Sequence, residues 1–267
     1  MAHVVIPEAE KLLDKEIPVL NRGFVRMVDY MGGDDRIVQS ARVSYGEGTK
    51  TVREDRGLIN YLIRNEHMSP FEQVIFTFHI KLPIFVARQM IRHRTARLNE
   101  ISGRYSVMTN EFYLPSEEEI RFQSTRNKQG SDDEKEVPAE LRQRVLETLK
   151  KDHESVYQNY QDLIDEDIAR ELARINLPLS LYTQWYWQCD LRNLLHFLRL
   201  RMDWHAQYEI RVYAEAMMQC VRAVAPMATE AFEEHVMNAK RISGSNLEKL
   251  KQVLSEKAPE MIDELDL

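Results

Sequence analysis

The chain has 267 residues, of which 43% are hydrophobic and 30% charged, and its formal net charge is −7. This suits a soluble globular protein with a sizeable core, and the acidic balance argues against a general nucleic-acid surface. Two cysteines, Cys189 and Cys220, form neither a disulfide framework nor a metal-type spacing, which fits a reducing cytosol. The opening segment has no apolar core of a signal peptide, and no apolar run approaches the ~18 residues of a membrane helix. The expectation is a cytoplasmic protein away from the membrane.

In chain order, residues 24–31 predict a strand, and Asp34 opens a helix with an N-cap residue. A second helix is expected over 53–65, ended by a turn at Met68-Ser69-Pro70. Residues 74–82 alternate, with Val74, Phe76, Phe78, Ile80 and Leu82 on one face of a half-buried strand. Pro83 suits the first position of a helix running to Arg94. Ser102-Gly103 marks a turn, and 104–114 read as extended. Residues 124–138 form a polar surface loop. Helices follow over about 138–165 and 167–176, then a strand over 179–188 and a long helix from about 190 to 224. The tail over 240–267, with Leu247, Leu250 and Leu254 at helical spacing, suits a docking helix. Strands and helices mix without regular βαβ alternation, which indicates a single α+β domain.

On a wheel drawn from Asp190, Leu191, Leu194, Leu195, Leu198, Met202 and Val212 form an apolar stripe that contains Arg201 and His205. Arg192, His196, Arg199 and Asp203 lie opposite. A charged Arg in an apolar stripe needs a partner. Either Asp190, Glu209 or another acid satisfies Arg201, or it lines a pocket for an anion.

Residues 92–106, RHRTARLNEISGRYS, gather four arginines and a histidine in an acidic chain. Gln89, Arg92 and His93 can share a helix edge, and Glu100, Ser102 and Arg104 would share a face of an extended segment. Such a set offers a guanidinium clamp for phosphate, a hydroxyl donor and a carboxylate acceptor, which suits a nucleotide. The bland alternative is a salt-bridged surface turn. A Ser102–His93 nucleophile pair ranks low, because no G-x-S-x-G elbow is present. A metal hydrolase built on His67, His79, His93 and His205 lacks any tight His pair, so no metal site is expected.

RHRTARLNEISGRY resembles the signature of the flavin-dependent thymidylate synthases. HMSPFEQ (67–73), FVARQMIRHR (85–94), EFYLP (111–115), ARELARINLPLSLYT (169–183) and DLRNLLHFLRLRMDWHAQYEIR (190–211) resemble the family's other blocks in the same order. The resemblance covers roughly residues 20–235; Arg97 stands where a serine is usual, and the 124–138 loop is longer than in compact members. It implies a central, mostly antiparallel sheet flanked by helices, in a homotetramer with shared active sites and small-molecule partners. The implied reaction is reductive methylation of dUMP to dTMP, with methylenetetrahydrofolate as carbon donor, FAD as hydride carrier and NADPH as reductant. It further implies that Gln89, Arg92, Glu100, Ser102, Gly103, Arg104, Arg174 and Arg201 contact dUMP. His67, Ser69, Arg92, His93, Arg94, Glu100, Asp190, Arg192 and His196 would lie around FAD.

Carbon 5 of uracil is a poor nucleophile, and neither cysteine sits in a credible setting for covalent activation. A guanidinium beside the pyrimidine would instead stabilise negative charge and push electron density toward carbon 5, a task assigned to Arg201. Ser102 then positions the nucleotide, while Arg92, His93 and Arg94 stabilise reduced flavin. Only nine glycines occur and none forms a G-x-G-x-x-G fingerprint, so side chains must hold the dinucleotide.

Overall fold

A computed structural model describes residues 4–43, 52–125, 130–132, 135–259 and 261–262. Five strands, β1 (Glu16–Val19), β2 (Gly23–Met31), β3 (Ile75–Pro83), β4 (Arg97–Glu100) and β5 (Tyr182–Asp190), form one antiparallel sheet in the order β1-β2-β3-β5-β4. The helices are α1 (Pro7–Glu10), α2 (Asp34–Arg42), α3 (Val52–Arg64), α4 (Ile84–Met90), α5 (Ala139–Asp165), α6 (Arg170–Ala173), α7 (Leu191–Arg201), α8 (Tyr208–Val224), α9 (Pro226–Phe232) and α10 (Gly244–Lys257).

The alternation predicted for 74–82 is the axis of the core. Val74, Phe76, Phe78, Ile80 and Leu82 are all fully buried, as are Val25 and Met27 on β2, with Trp185 and Trp187 on β5 close behind. α8 packs Ile210, Tyr213, Ala214, Met217 and Val221 into the same cluster. Tyr213 donates its hydroxyl to the Lys81 carbonyl at 2.7 Å. A Cβ on Gly23 would stand 2.0 Å from that hydroxyl, so the β1–β2 hairpin requires glycine there.

A second, smaller cluster of Met108, Phe112, Tyr160, Ala173 and Leu181 lies under α5. Tyr160 accepts a hydrogen bond from the Met108 N–H at 3.0 Å, and Tyr157 donates to the Met108 carbonyl at 3.0 Å. His153 and Ser180 meet at 2.8 Å beside them. Two tyrosines thus hold both polar groups of one backbone residue, anchoring the segment that follows the Ser102-Gly103 turn.

Several boundaries differ from expectation. The helix predicted over 190–224 is two helices with a break at residues 202–207. Asp203 causes it, because its carboxylate accepts from the His205 N–H at 2.8 Å and its carbonyl from the Ala206 N–H at 2.9 Å, competing with the helical ladder. Apolar residues on both sides bury against one core, so the periodicity survived a break that it could not reveal. The apolar-stripe assignment of His205 therefore fails, and that residue is exposed. The helix expected to reach Arg94 stops at Met90, with Pro83 as the residue before its first turn. Residues 104–114 make no strand and contribute one isolated bridge, Phe112 to Leu181. The strand expected over 179–188 runs from Tyr182 to Asp190. The 167–176 helix is α6 followed by a short 3-10 turn over Arg174–Asn176. In the 124–138 stretch, Ser124 N–H bonds the Gly130 carbonyl at 3.0 Å and Gln123 bridges Ser131, while 126–129 and 133–134 lie outside the described residues. Leu247, Leu250 and Leu254 are half-buried on α10.

Asp34, the first residue of α2, ties distant parts of the chain together. Its carboxylate accepts from the backbone N–H groups of Met227 at 2.8 Å and Ala228 at 3.0 Å, capping α9 from outside. Burial outweighs those bonds and lifts its pKa to about 6. Asp34→Ala should therefore destabilise the protein by about 2 kcal/mol in denaturant unfolding at pH 7, since one buried and one part-buried donor lose their acceptor. The folded carboxyl holds its proton where the unfolded one, with a reference value of 3.8, has lost it. Its contribution to stability accordingly declines as pH rises from about 4 through about 6. Asp34→Asn should flatten that part of the stability–pH curve.

Candidate active site

The ends of β3, β5 and β4 deliver most of the candidate side chains. α4 follows directly from β3 and begins with two hydrogen bonds to the approach of β5, Ile84 N–H to the Leu181 carbonyl and Phe85 N–H to the Leu179 carbonyl, each 3.0 Å. After Met90 the chain leaves the helix, and His93 N–H bonds the Met90 carbonyl at 3.0 Å. Arg92 and Arg94 are exposed, while His93 turns inward. Its ring stands edge-on to Phe197 and His196 of α7, with centroids 4.9 and 5.9 Å away.

Arg201, the last residue of α7, donates Nε–H to His93 Nε2 at 3.1 Å. That bond requires a neutral imidazole with its proton on Nδ1. Burial pushes the His93 pKa down to about 4, aided by the Arg201 guanidinium and then by His196. Burial also lowers the Arg201 pKa, though an arginine stays protonated in such a setting. The carboxylates named above as its partners are engaged elsewhere. Asp190 caps α7, accepting from the Asn193 N–H at 2.9 Å, and Glu209 accepts the Tyr113 hydroxyl at 3.1 Å. Among the described residues no carboxylate forms an ion pair with Arg201, Arg92 or Arg94, whereas Arg104 pairs with Glu171 and Arg192 with Glu72.

β4 runs along the outer edge of β5, with Arg97 opposite Gln188 and Glu100 opposite Trp185. The Arg97 guanidinium reaches the Gln188 side-chain carbonyl at 3.4 Å, so the residue that departs from the signature rests on the neighbouring strand. Glu100 accepts a hydrogen bond from the Thr183 hydroxyl at 2.6 Å. Ile101 N–H makes one more bond, to the Gln184 carbonyl at 2.9 Å, and the chain then leaves the sheet.

Ser102, Gly103 and Arg104 form a tight turn in place of the extended segment expected from their alternation. Tyr105 and Ser106 both donate N–H to the Ser102 carbonyl at 3.1 Å. The Ser102 hydroxyl accepts from Arg104 N–H at 3.3 Å and makes no described contact with His93. A Cβ on Gly103 would come within 3.1 Å of Arg174, so the missing side chain lets that arginine lie against the turn. The Arg104–Glu171 pair at 3.2 Å and the Arg170 bond to the Tyr105 carbonyl at 3.0 Å clamp α6 to the turn.

The residues assigned to the flavin spread further. Ser69 opens the 3-10 turn Ser69–Gln73, which carries Glu72 to Arg192. Exposed His196 borders His93, linking this group to Arg201. His67 sets its ring edge-on to Tyr61 at 5.8 Å. Among the described residues no hydrogen bond, ion pair or ring contact joins the Gly103–Arg174 group to the His93–Arg201 group. The four histidines of the hydrolase alternative go to different partners: His79 to Arg26 and Gln184, His93 to Arg201, His205 to Asp203, and His67 to Tyr61.

Two contacting residues were missed in the sequence. Thr183 sits 3% exposed in the buried row with Trp185 and Trp187, and a hydroxyl in such a row was the available signal. Gln207, just before α8, accepts from the Gln89 side-chain amide at 2.5 Å, a contact across the helix break that no periodicity marks. Gln207 also borders a cavity of about 680 Å³ between Arg121 and Phe122 on one side and Trp204, Tyr208 and Arg211 on the other. None of the residues assigned to dUMP or FAD is among its described lining. Both thiols are buried, Cys189 raised well above its ordinary pKa by burial and then Asp190, and Cys220 pushed up to about 12 by burial.

The family described as "Thymidylate synthase complementing protein" matches residues 26–227. A flavin-dependent thymidylate synthase of Treponema denticola is 62% identical over 245 residues, covering 92% of each chain. One of Treponema pallidum is 54% identical over 255 residues, 96% of this chain and 83% of the relative. One of Rickettsia bellii is 52% identical over 264 residues, 94% of this chain and 90% of the relative. Among solved structures, the UMP/dUMP methylase PolB from Streptomyces cacaoi, bound with 5-Br dUMP, superposes with a TM-score of 0.76 at 34% identity, covering 83% of this chain and 99% of that one. The fold, the arginine-bearing turn and the matches along nearly the whole chain agree: this protein belongs to the flavin-dependent thymidylate synthases.

Proposed function

We propose that the protein converts dUMP to dTMP in the cytoplasm by reductive methylation, with methylenetetrahydrofolate as carbon donor and NADPH as reductant, and without a cysteine nucleophile. The observation that carries this reading is Arg201, a half-buried guanidinium whose described partner is a neutral imidazole nitrogen. A cation so placed has, among the described residues, unused donors and no compensating anion, which favours an electron-rich ligand. The dUMP analogue bound by PolB supports the substrate class. No helix among the described residues is long and apolar enough to cross a membrane.

The donor set fits a flavin dinucleotide. Arg92 and Arg94 are exposed cations without ion pairs among the described residues, beside a histidine held neutral. FAD, when bound, supplies the hydride that turns the transferred one-carbon unit into a methyl group. Arg92, His93, Arg94, Arg192 and His196 would hold it, with Ser69 and His67 at the margin. Asp190 would act there indirectly, since its carboxylate caps α7 and orients Arg192 and His196.

Ser102, Gly103, Arg104 and Arg174 would seat the nucleotide's phosphate, and Gln89, Arg92 and Glu100 would bind its polar edges. Arg201 would stabilise negative charge on the pyrimidine in a setting drier than bulk water, where a fixed charge acts more strongly. Ser102 acts as a positioning donor. A thiol addition is disfavoured because both cysteines are buried and protonated at neutral pH.

The reading includes a homotetramer with shared sites. Among the described residues no contact joins the two groups of dUMP-matched residues, and Leu98, Ile101, Tyr105, Leu172, Ile175 and Leu179, on or beside the segments that carry one of them, are exposed. Exposed apolar side chains of this number suit an interface, and a second copy would bring the groups together.

The purified protein should carry flavin absorbance or take up added FAD; a colourless protein unable to bind FAD overturns the reading. Arg201→Lys should lower turnover by on the order of 10²-fold in an assay of tritium release from C5-labelled dUMP, with a much smaller change in dUMP affinity. Unaltered turnover removes Arg201 from the activating role. Ser102→Ala should weaken dUMP binding about tenfold while retaining methylation. Complete loss with dUMP and FAD binding intact favours a nucleophilic serine.

A further inference from the structure

We infer that Thr183 is a positioning residue for nucleotide binding, acting through Glu100; the inference rests on the dUMP reading above. Thr183 occupies the second position of β5 and is 3% exposed. Its backbone is paired with Leu82 of β3, and it shares the buried row with Trp185 and Trp187. A β-branched side chain there has little rotamer freedom, so its hydroxyl points one way. It points at Glu100, donating to one carboxylate oxygen at 2.6 Å.

Glu100 needs such support. It is the last residue of β4, a four-residue edge strand exposed at every position. Its peptide neighbour, Ile101, makes the final bond to β5 before the chain turns away through Ser102-Gly103-Arg104. An unsupported glutamate at a strand end samples several rotamers, and binding would have to immobilise it. The Thr183 bond does so in advance.

The bond also sets the chemistry. The single hydroxyl proton is spent on Oε1, so Glu100 is an acceptor there and its remaining oxygen presents a second acceptor outward. An acceptor two residues from the Ser102 turn suits a ligand hydroxyl or N–H. Thr183 itself touches no ligand. Its hydroxyl fixes which oxygen Glu100 offers and in which direction.

The test uses Thr183→Val, which keeps shape and loses the hydroxyl, Thr183→Ser, which keeps the hydroxyl, and Glu100→Gln alone and combined with Thr183→Val. Binding of dUMP to the FAD-loaded protein is measured by calorimetry, and flavin absorbance and melting temperature report on integrity. Thr183→Val should weaken dUMP binding about tenfold and Thr183→Ser should restore it. The double variant should be no weaker than Glu100→Gln alone, because the two residues act as a unit. If Thr183→Val fails to fold, Thr183→Ala serves the same comparison. Normal dUMP affinity in Thr183→Val, with Glu100→Gln impaired, overturns the inference and leaves the dUMP reading standing. Equal losses from Thr183→Val with and without Glu100→Gln also overturn it. Normal affinity in Glu100→Gln itself overturns both the role of Glu100 and the inference built on it.

Discussion

The pairing of β5 on both of its edges is the constraint from which the candidate site follows. One edge meets β3 over nine residues, and the other meets the four residues of β4. β3 runs into α4 and so places Gln89, Arg92 and His93, while β4 places Glu100 and leads into the Ser102 turn. β5 ends at Asp190, which caps the helix carrying Arg192, His196 and Arg201. Segments far apart in sequence are therefore registered against one strand, whose aromatic row of Trp185 and Trp187 is buried in the core. A shift of one residue in that strand would exchange its buried row for its outward one.

Within this frame the arginines divide by partner. Arg104 and Arg192 hold carboxylates, and Arg97 rests on Gln188. These are bonds that organise the face. Arg201 differs, because α7 ends where an imidazole, with its pKa pushed down to about 4, offers a lone pair and no charge. A neutral acceptor aligns the guanidinium without cancelling it. A carboxylate in the same place would have neutralised the charge that the proposed chemistry needs; Asp190 and Glu209 instead bond Asn193 and Tyr113.

The same division separates holding residues from acting ones. Thr183 and Gln207 contact Glu100 and Gln89, giving orientation to groups at the surface, while Tyr157 and Tyr160 hold the backbone of buried Met108. The proposed sharing of the site between copies belongs to this picture. The turn bearing Ser102 and Gly103 is clamped to α6 and Arg174 with no described contact to the His93–Arg201 group, which is what the proposed sharing requires.

What the sequence determined alone was local and periodic. The strict alternation of 74–82 marked the core strand, Asp34 and the Ser102-Gly103 pair marked a helix start and a turn, and the RHRTARLNEISGRY stretch identified the family and its charged cluster. These features depend on neighbours a few residues away, so they are written in order along the chain. Only tertiary structure decided that Asp34 caps α9, that Arg201 leans on His93 and not on an acid, and that Thr183 reaches Glu100. Each depends on groups brought close by packing, where competing partners are chosen by distance and desolvation, and neither quantity has a signature in sequence spacing.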